Sequence, residues 1–105
     1  MSNVIHPSAI IEDGAQIGKD NVICENVIIR KSAILGSKNF IGPNSLIENK
    51  VNIGNNNKFY GFVSVGTLGE MGSKGDTLDS EGIVEIGNNN IFREFITINF
   101  PVKNK

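Results

Sequence analysis

Residues 17–53 read IGKDNVICENVIIRKSAILGSKNFIGPNSLIENKVNI. Every sixth residue of that stretch is large and aliphatic: Ile17, Ile23, Ile29, Leu35, Ile41, Ile47 and Ile53. The series extends back to Ile11 and Ile5 and forward to Phe59 and Val65. About a third of the chain is Ile, Val, Leu, Phe or Met. A chance alignment of that length, in any register, is then on the order of one in tens of thousands. A period of six is a multiple of the strand period of two and does not fit the helical 3.6.

Two residues before each apolar position stand small or medium side chains: Asn3, Ala9, Ala15, Asn21, Val27, Ala33, Asn39, Ser45, Val51, Asn57 and Val63. Immediately after it, Gly18, Gly36, Gly42, Gly54 and Gly66 recur. The pattern predicts a β-helix. The large side chain points inward and stacks on its counterpart one coil away, and the small one fills a tight corner. Each coil pairs its backbone with the coils on either side at a strand spacing of about 4.8 Å. No coil buries its apolar face alone, so stacking stabilises the array.

Composition agrees. The chain holds 16 Ile and 8 Val against 4 Leu and 3 Ala, the reverse of a helical domain's preference. Its 12 Gly and 15 Asn supply turns, including left-handed backbone angles. A length of 105 residues is one domain's worth, taken as residues 1–105. A net charge of −1 argues against bulk attraction to nucleic acid. No apolar run approaches the roughly 20 residues of a membrane span, and no signal peptide is expected. One cysteine, Cys24, excludes an intrachain disulfide framework and a multi-cysteine metal site, and a cytoplasmic location is expected.

The frame breaks after Val65. Residues 67–82 hold no hexad but carry Gly69, Gly72, Gly75 and Gly82, with charges at Glu70, Lys74, Asp76, Asp79 and Glu81. This predicts a loop extruded from the coil, and loops of that length are usually functional. The hexad resumes at Ile86, Phe92 and Ile98.

The isoleucine hexad resembles that of the hexapeptide-repeat transferases, whose fold is a left-handed parallel β-helix with three strands per coil. The left hand is implied by the family, since the general crossover rule favours the right. Fourteen hexads at three per coil predict between four and five coils. The opening Ile5-His6-Pro7-Ser8-Ala9-Ile10-Ile11-Glu12, the stretch Phe59 to Gly66, and Val84-Glu85-Ile86-Gly87 followed by Arg93-Glu94-Phe95-Ile96-Thr97-Ile98-Asn99 resemble the N-terminal part of the bacterial UDP-N-acetylglucosamine acyltransferases. That likeness covers nearly all of this chain but only the first part of the family. It implies acyl transfer from acyl carrier protein to a UDP-sugar in lipid A synthesis, in a homotrimer with sites between subunits and with no cofactor.

The departures are specific. The family's general base is a histidine in a coil beyond these residues, so the resemblance assigns no catalytic residue here. After Asn99 the family usually continues Arg-Gly, where this chain has Phe100-Pro101-Val102. Aligned on Lys74-Gly75-Asp76, which resembles a Lys-Gly-Glu run, Glu70 falls on a substrate-binding aspartate and Gly72 replaces a lysine. Glu70 and Asp76 are therefore the expected substrate-binding residues.

Other residues have plainer readings. His6, the only histidine, has the pKa range of a general base but sits in the opening turn, where a structural role is expected. Cys24 follows an inward Ile and is read as packing. Asn55-Asn56-Asn57 and Asn88-Asn89-Asn90 allow a ladder of stacked amides; the plainer reading makes them corner residues with positive φ. Arg93 and Glu94 fall on an outer face, where in a trimer they would pair across subunits. Neither a phosphate-cradling glycine loop nor a metal-ligand cluster is present. Two other functions fit the repeat: a non-catalytic assembly or binding module, stacked end to end through a bare last coil, and an N-acyltransferase for an amino sugar of a surface polysaccharide.

Overall fold

The computed structural model describes residues 2–67 and 83–99. Within them every regular element is a short strand, and all strand pairs are parallel. Face 1 stacks β1 (Val4–Ile5), β4 (Val22–Ile23), β7 (Phe40–Ile41), β10 (Lys58–Phe59) and β13 (Ile91–Phe92). Face 2 stacks β2 (Ile10–Ile11), β5 (Ile28–Ile29), β8 (Leu46–Ile47), β11 (Ser64–Thr67) and β14 (Thr97–Asn99). Face 3 stacks β3 (Gln16–Ile17), β6 (Ile34–Leu35), β9 (Val51–Ile53) and β12 (Val84–Ile86). Three faces and fourteen strands make four complete coils and two thirds of a fifth.

The register is 18 residues per coil. Ile5 pairs with Ile23, Ile23 with Ile41 and Ile41 with Phe59. Across the break the step becomes 33: Val51 pairs with Val84 and Phe59 with Phe92. The break therefore adds 15 residues to one coil and leaves the pairing of all three faces in phase. It leaves between faces 2 and 3. Thr67, read as loop from the sequence, still pairs with Asn99, across a bulge at Gly66, whose φ is +90°.

Each hexad side chain points inward as the pattern predicts. Ile23, Ile29, Leu35, Ile41, Ile47, Ile53, Phe59 and Val65 are all buried. Each contributes about 1.5–3 kcal/mol of burial. Phe59 stacks on Phe92 at 4.8 Å between ring centroids. Burial fades toward the ends: Ile5 is 42% exposed, and Ile11, Ile17, Phe92 and Ile98 are only partly buried. A terminal coil has a stacked neighbour on one side only.

The three corners differ, and the hexad alone does not show it. At the corner leading into face 1, Asn21, Asn39 and Asn57 are buried and form a ladder with Asn3 and Asn90. The Oδ1 of Asn21 accepts the backbone N–H of Asn39 at 2.8 Å, and that of Asn39 accepts the N–H of Asn57 at 2.8 Å. Their Nδ2 groups donate to the Gly36 and Gly54 carbonyls, each at 2.9 Å. The ladder continues from Asn57 to the Asn90 N–H at 2.9 Å, across the break. A buried amide is tolerated because its donors and acceptor are all used.

This corrects the corner reading of the Asn triplets. Only the middle residues, Asn56 and Asn89, have positive φ. Asn57 and Asn90 are ladder members. Asn55 and Asn88 form a second, outer column, in which Asn88 Oδ1 accepts the Asn55 N–H and Asn55 Oδ1 accepts the Ser37 N–H, both at 2.7 Å.

Candidate functional site

Two surface features stand out once the faces are placed. The first is an open dish of about 390 Å³ on face 3, lined by Asn52, Ile53, Gly54, Glu85, Ile86 and Gly87. It exists because outward positions alternate with inward ones along a strand. Asn52 and Glu85 are register partners in adjacent coils and both point outward, while glycines flank them. The dish sits beside the point where the chain returns from the break, at Ile83. An amide next to a carboxylate on a flat floor suits hydroxyl and amide groups of a ligand by hydrogen bonding. The dish holds no histidine or cysteine.

The second is an aromatic ridge on the corner between faces 1 and 2. In the first three coils the tip of that corner is Ser8, Asn26 and Asn44; in the last two it is Phe62 and Phe95. The two rings stack at 5.1 Å with planes 19° apart, and Phe62 and Phe95 are 48% and 79% exposed. Both have positive φ, 52° and 64°. Beside them the Arg93 guanidinium lies 5.1 Å from the centre of the Tyr60 ring, and Phe40 meets Tyr60 at 6.4 Å.

The residues singled out from the sequence are scattered. Glu70 and Asp76 lie outside the described residues. His6 is exposed in the opening turn; its Nδ1 accepts the Ser8 backbone N–H at 3.1 Å and lies 2.9 Å from Ser8 Oγ. It belongs to face 1 of the first coil, whereas the dish belongs to face 3 of the last. Cys24 is half-buried. Burial, and secondarily the charge of Glu25, pushes its thiol above the ordinary range. Cys24 is accordingly expected to react with iodoacetamide several-fold more slowly at pH 8 than a free thiol, with equal rates regained on unfolding. Equal rates in the native protein would contradict the packing role.

On the corner between faces 2 and 3, Arg30 bridges Glu12 at 2.9 Å and approaches Glu48 at 3.8 Å. All three are partly exposed, so the column adds little to stability. Among the described residues no group of three His, Cys, Asp or Glu side chains is placed to hold a metal ion, and no helix is long and apolar enough to cross a membrane.

The coil geometry and the position of the break also occur in solved structures. The LpxA UDP-N-acetylglucosamine acyltransferase of Bacteroides fragilis 9343 is 31% identical over 95% of this chain, with a TM-score of 0.54. This chain is similar to the hexapeptide-repeat acyltransferases. It is the left-handed parallel β-helix of those proteins. It spans 36% of the length of the Bacteroides enzyme. PerB of Caulobacter crescentus, solved with CoA and GDP-perosamine, shares the fold at 19% identity and a TM-score of 0.54, over 99% of this chain and 58% of PerB. No family model and no curated protein matches the chain.

Phe62 and Phe95 were legible but unread. They occupy one hexad position in adjacent coils, but their spacing of 33 is no multiple of six. The break has to be subtracted before the pair appears.

Proposed function

We propose that this chain forms the first coils of an acyl-transfer protein acting on a nucleotide sugar, with UDP-N-acetylglucosamine as acceptor and acyl carrier protein as donor, as in lipid A synthesis. The observation that carries the reading is the 31% identity to the Bacteroides acyltransferase over 95% of the chain. The 15-residue extrusion between faces 2 and 3 supports it, since it stands where the sequence resemblance expects the acceptor-binding loop. Glu70 and Asp76 are the proposed acceptor contacts from that loop. The catalytic base is supplied from outside these residues: His6 is engaged in its own turn, on another face from the dish.

The resemblance further supports a trimer. A closed three-fold ring needs two different patches on each copy. Faces 1 and 2 supply them in two outward apolar columns, Val4, Val22 and Phe40 on one and Ile10, Ile28 and Leu46 on the other. Val4, Val22 and Ile10 are exposed.

Titration with UDP-N-acetylglucosamine, followed by amide chemical shifts, tests the reading. The expected result is saturable shifts confined to Thr67, Ile83, Asn52 and Glu85. GDP-perosamine, the ligand of PerB, is expected to give none. Shifts with GDP-perosamine alone would favour the amino-sugar alternative, and no shifts with either at millimolar concentration would leave the assembly-module reading in its place.

A further inference from the structure

We infer that the Phe62–Phe95 ridge is the contact around which three copies of this chain meet. The inference rests on the trimeric reading above and gives it a surface.

The ridge is conformationally costly. A bulky aromatic with positive φ is a genuine outlier, whereas Asn tolerates that region. The same corner in the lower coils uses Asn26 and Asn44 at φ 59° and 60°. In the upper two coils the chain instead holds two phenylalanines there. Their mutual stacking leaves most of both rings in water. Strain of this kind persists where the surroundings or a partner compensate it. The ridge is convex, so it fits no cleft of its own chain. Ile91, 61% exposed, extends the apolar surface onto face 1.

The charges flanking the ridge select another copy of this chain as the occupant. Arg93 and Glu94 are adjacent and exposed on the turn that ends in Phe95, and neither has an ion-pair partner among the described residues. A ring of copies places Arg93 of one against Glu94 of the next, so every pair is satisfied by repetition. A membrane surface or an acidic partner would leave Glu94 facing like charge.

The geometry is consistent with the outward apolar columns. A triangular coil has corners of roughly 60°, so three corners aimed at one axis leave three open wedges between them. Each wedge is walled by face 2 of one copy and face 1 of the next. The 15-residue extrusion leaves at the outer lip of face 2, at the mouth of a wedge. The ridge contact therefore joins the copies while keeping the wedges open for a ligand.

Sedimentation equilibrium on the full chain tests this. The double variant Phe62→Asn and Phe95→Asn restores the residue used in the lower coils, so folding is retained, as circular dichroism will report. It is expected to raise the trimer's half-dissociation concentration by about tenfold or more. Arg93→Glu and Glu94→Arg are each expected to weaken association, and the two together to restore it. A trimer indifferent to the phenylalanine variants overturns the inference and leaves the acyl-transfer reading standing. A wild-type monomer or dimer overturns it as well. So does an unchanged trimer mass accompanied by loss of binding to vesicles of anionic phospholipid, which would make a lipid surface the occupant. Absence of nucleotide-sugar binding in an intact, ridge-dependent trimer would count against the acyl-transfer reading alone.

Discussion

Gly36→Ala is expected to destabilise the fold by about 3 kcal/mol, whereas Gly87→Ala is expected to change stability by less than about 0.5 kcal/mol. Both glycines occupy the same position in the hexad, on the corner between faces 3 and 1. A Cβ on Gly36 would lie 2.4 Å from the Gly54 carbonyl oxygen and 2.8 Å from its carbon. It would also lie 2.4 Å from Asn55 Oδ1. Two of these are backbone atoms of the next coil, held by the Gly36 N–H to Ile53 carbonyl bond at 2.8 Å and its neighbours. No side-chain rotation relieves the clash, so the coils must separate. At Gly87 a Cβ meets nothing within 4 Å, because no described coil lies above it. Thermal or urea unfolding of the two variants measures the contrast. Equal, small losses in both would show that the coil spacing at this corner is not set by the glycine column.

The second large effect concerns the amide ladder. Asn39→Ala removes an acceptor from the Asn57 N–H and a donor from the Gly54 carbonyl. Stranding the two groups costs about 1–3 kcal/mol each, hence about 2–5 kcal/mol together. That is a large share of a small domain's stability. The control is Asn90→Ala. Its side chain donates only to Asn57 Oδ1, at 3.1 Å, and its loss is expected to cost about 1 kcal/mol or less. Asn39→Asp adds a pH signature. Its second carboxylate oxygen replaces Nδ2 opposite the Gly54 carbonyl, so burial and the facing oxygen disfavour the ionised form and raise the folded-state pKa. A protonated carboxyl still donates there. The variant is therefore nearest to wild type below the unfolded carboxyl pKa of about 3.9 and loses stability as the pH rises from there toward the raised folded value. Chemical unfolding at pH 3.5 and pH 7 checks the sign; a variant relatively more stable at pH 7 would contradict the ladder geometry.

The fold was legible because one physical demand, a large side chain inside, repeats at every strand. Eleven consecutive hexads and three after the break carry it, and the coils of the structure follow them. The amide ladder was not legible from the same reading. A period of six treats all corners alike, but the corner environments repeat every 18 residues. Asn21, Asn39 and Asn57 share a position with Val27, Ala33 and Ser45 in the hexad and differ from them only in which corner they fill. At one corner the small side chain faces the glycine carbonyls and must donate. At the other two, valine or alanine packs against the core.

The candidate site was less legible still. Glu70 and Asp76 were chosen by alignment to a family motif and lie outside the described residues. The dish is formed by Asn52 and Glu85, which are 33 positions apart and gain meaning only through strand pairing. The ridge uses phenylalanine where the backbone favours asparagine, so local propensity argues against finding it. Arg93 and Glu94 were placed on an outer face from their hexad position, and the structure leaves both exposed there.

The extrusion between faces 2 and 3 has a consequence for how such a chain can change over time. Fifteen residues are added to one coil, and neither the Asn57 to Asn90 bond nor the register of any face records them. Closing a longer detour costs only about 0.6 kcal/mol per doubling of its length. That corner is thus a port at which new segments can be spliced in, lengthened or exchanged without retuning the stack. Recognition can diversify there while the scaffold's residues stay fixed. A grafted peptide epitope at the same point would be displayed at the lip of face 2, on a frame that already tolerates the interruption.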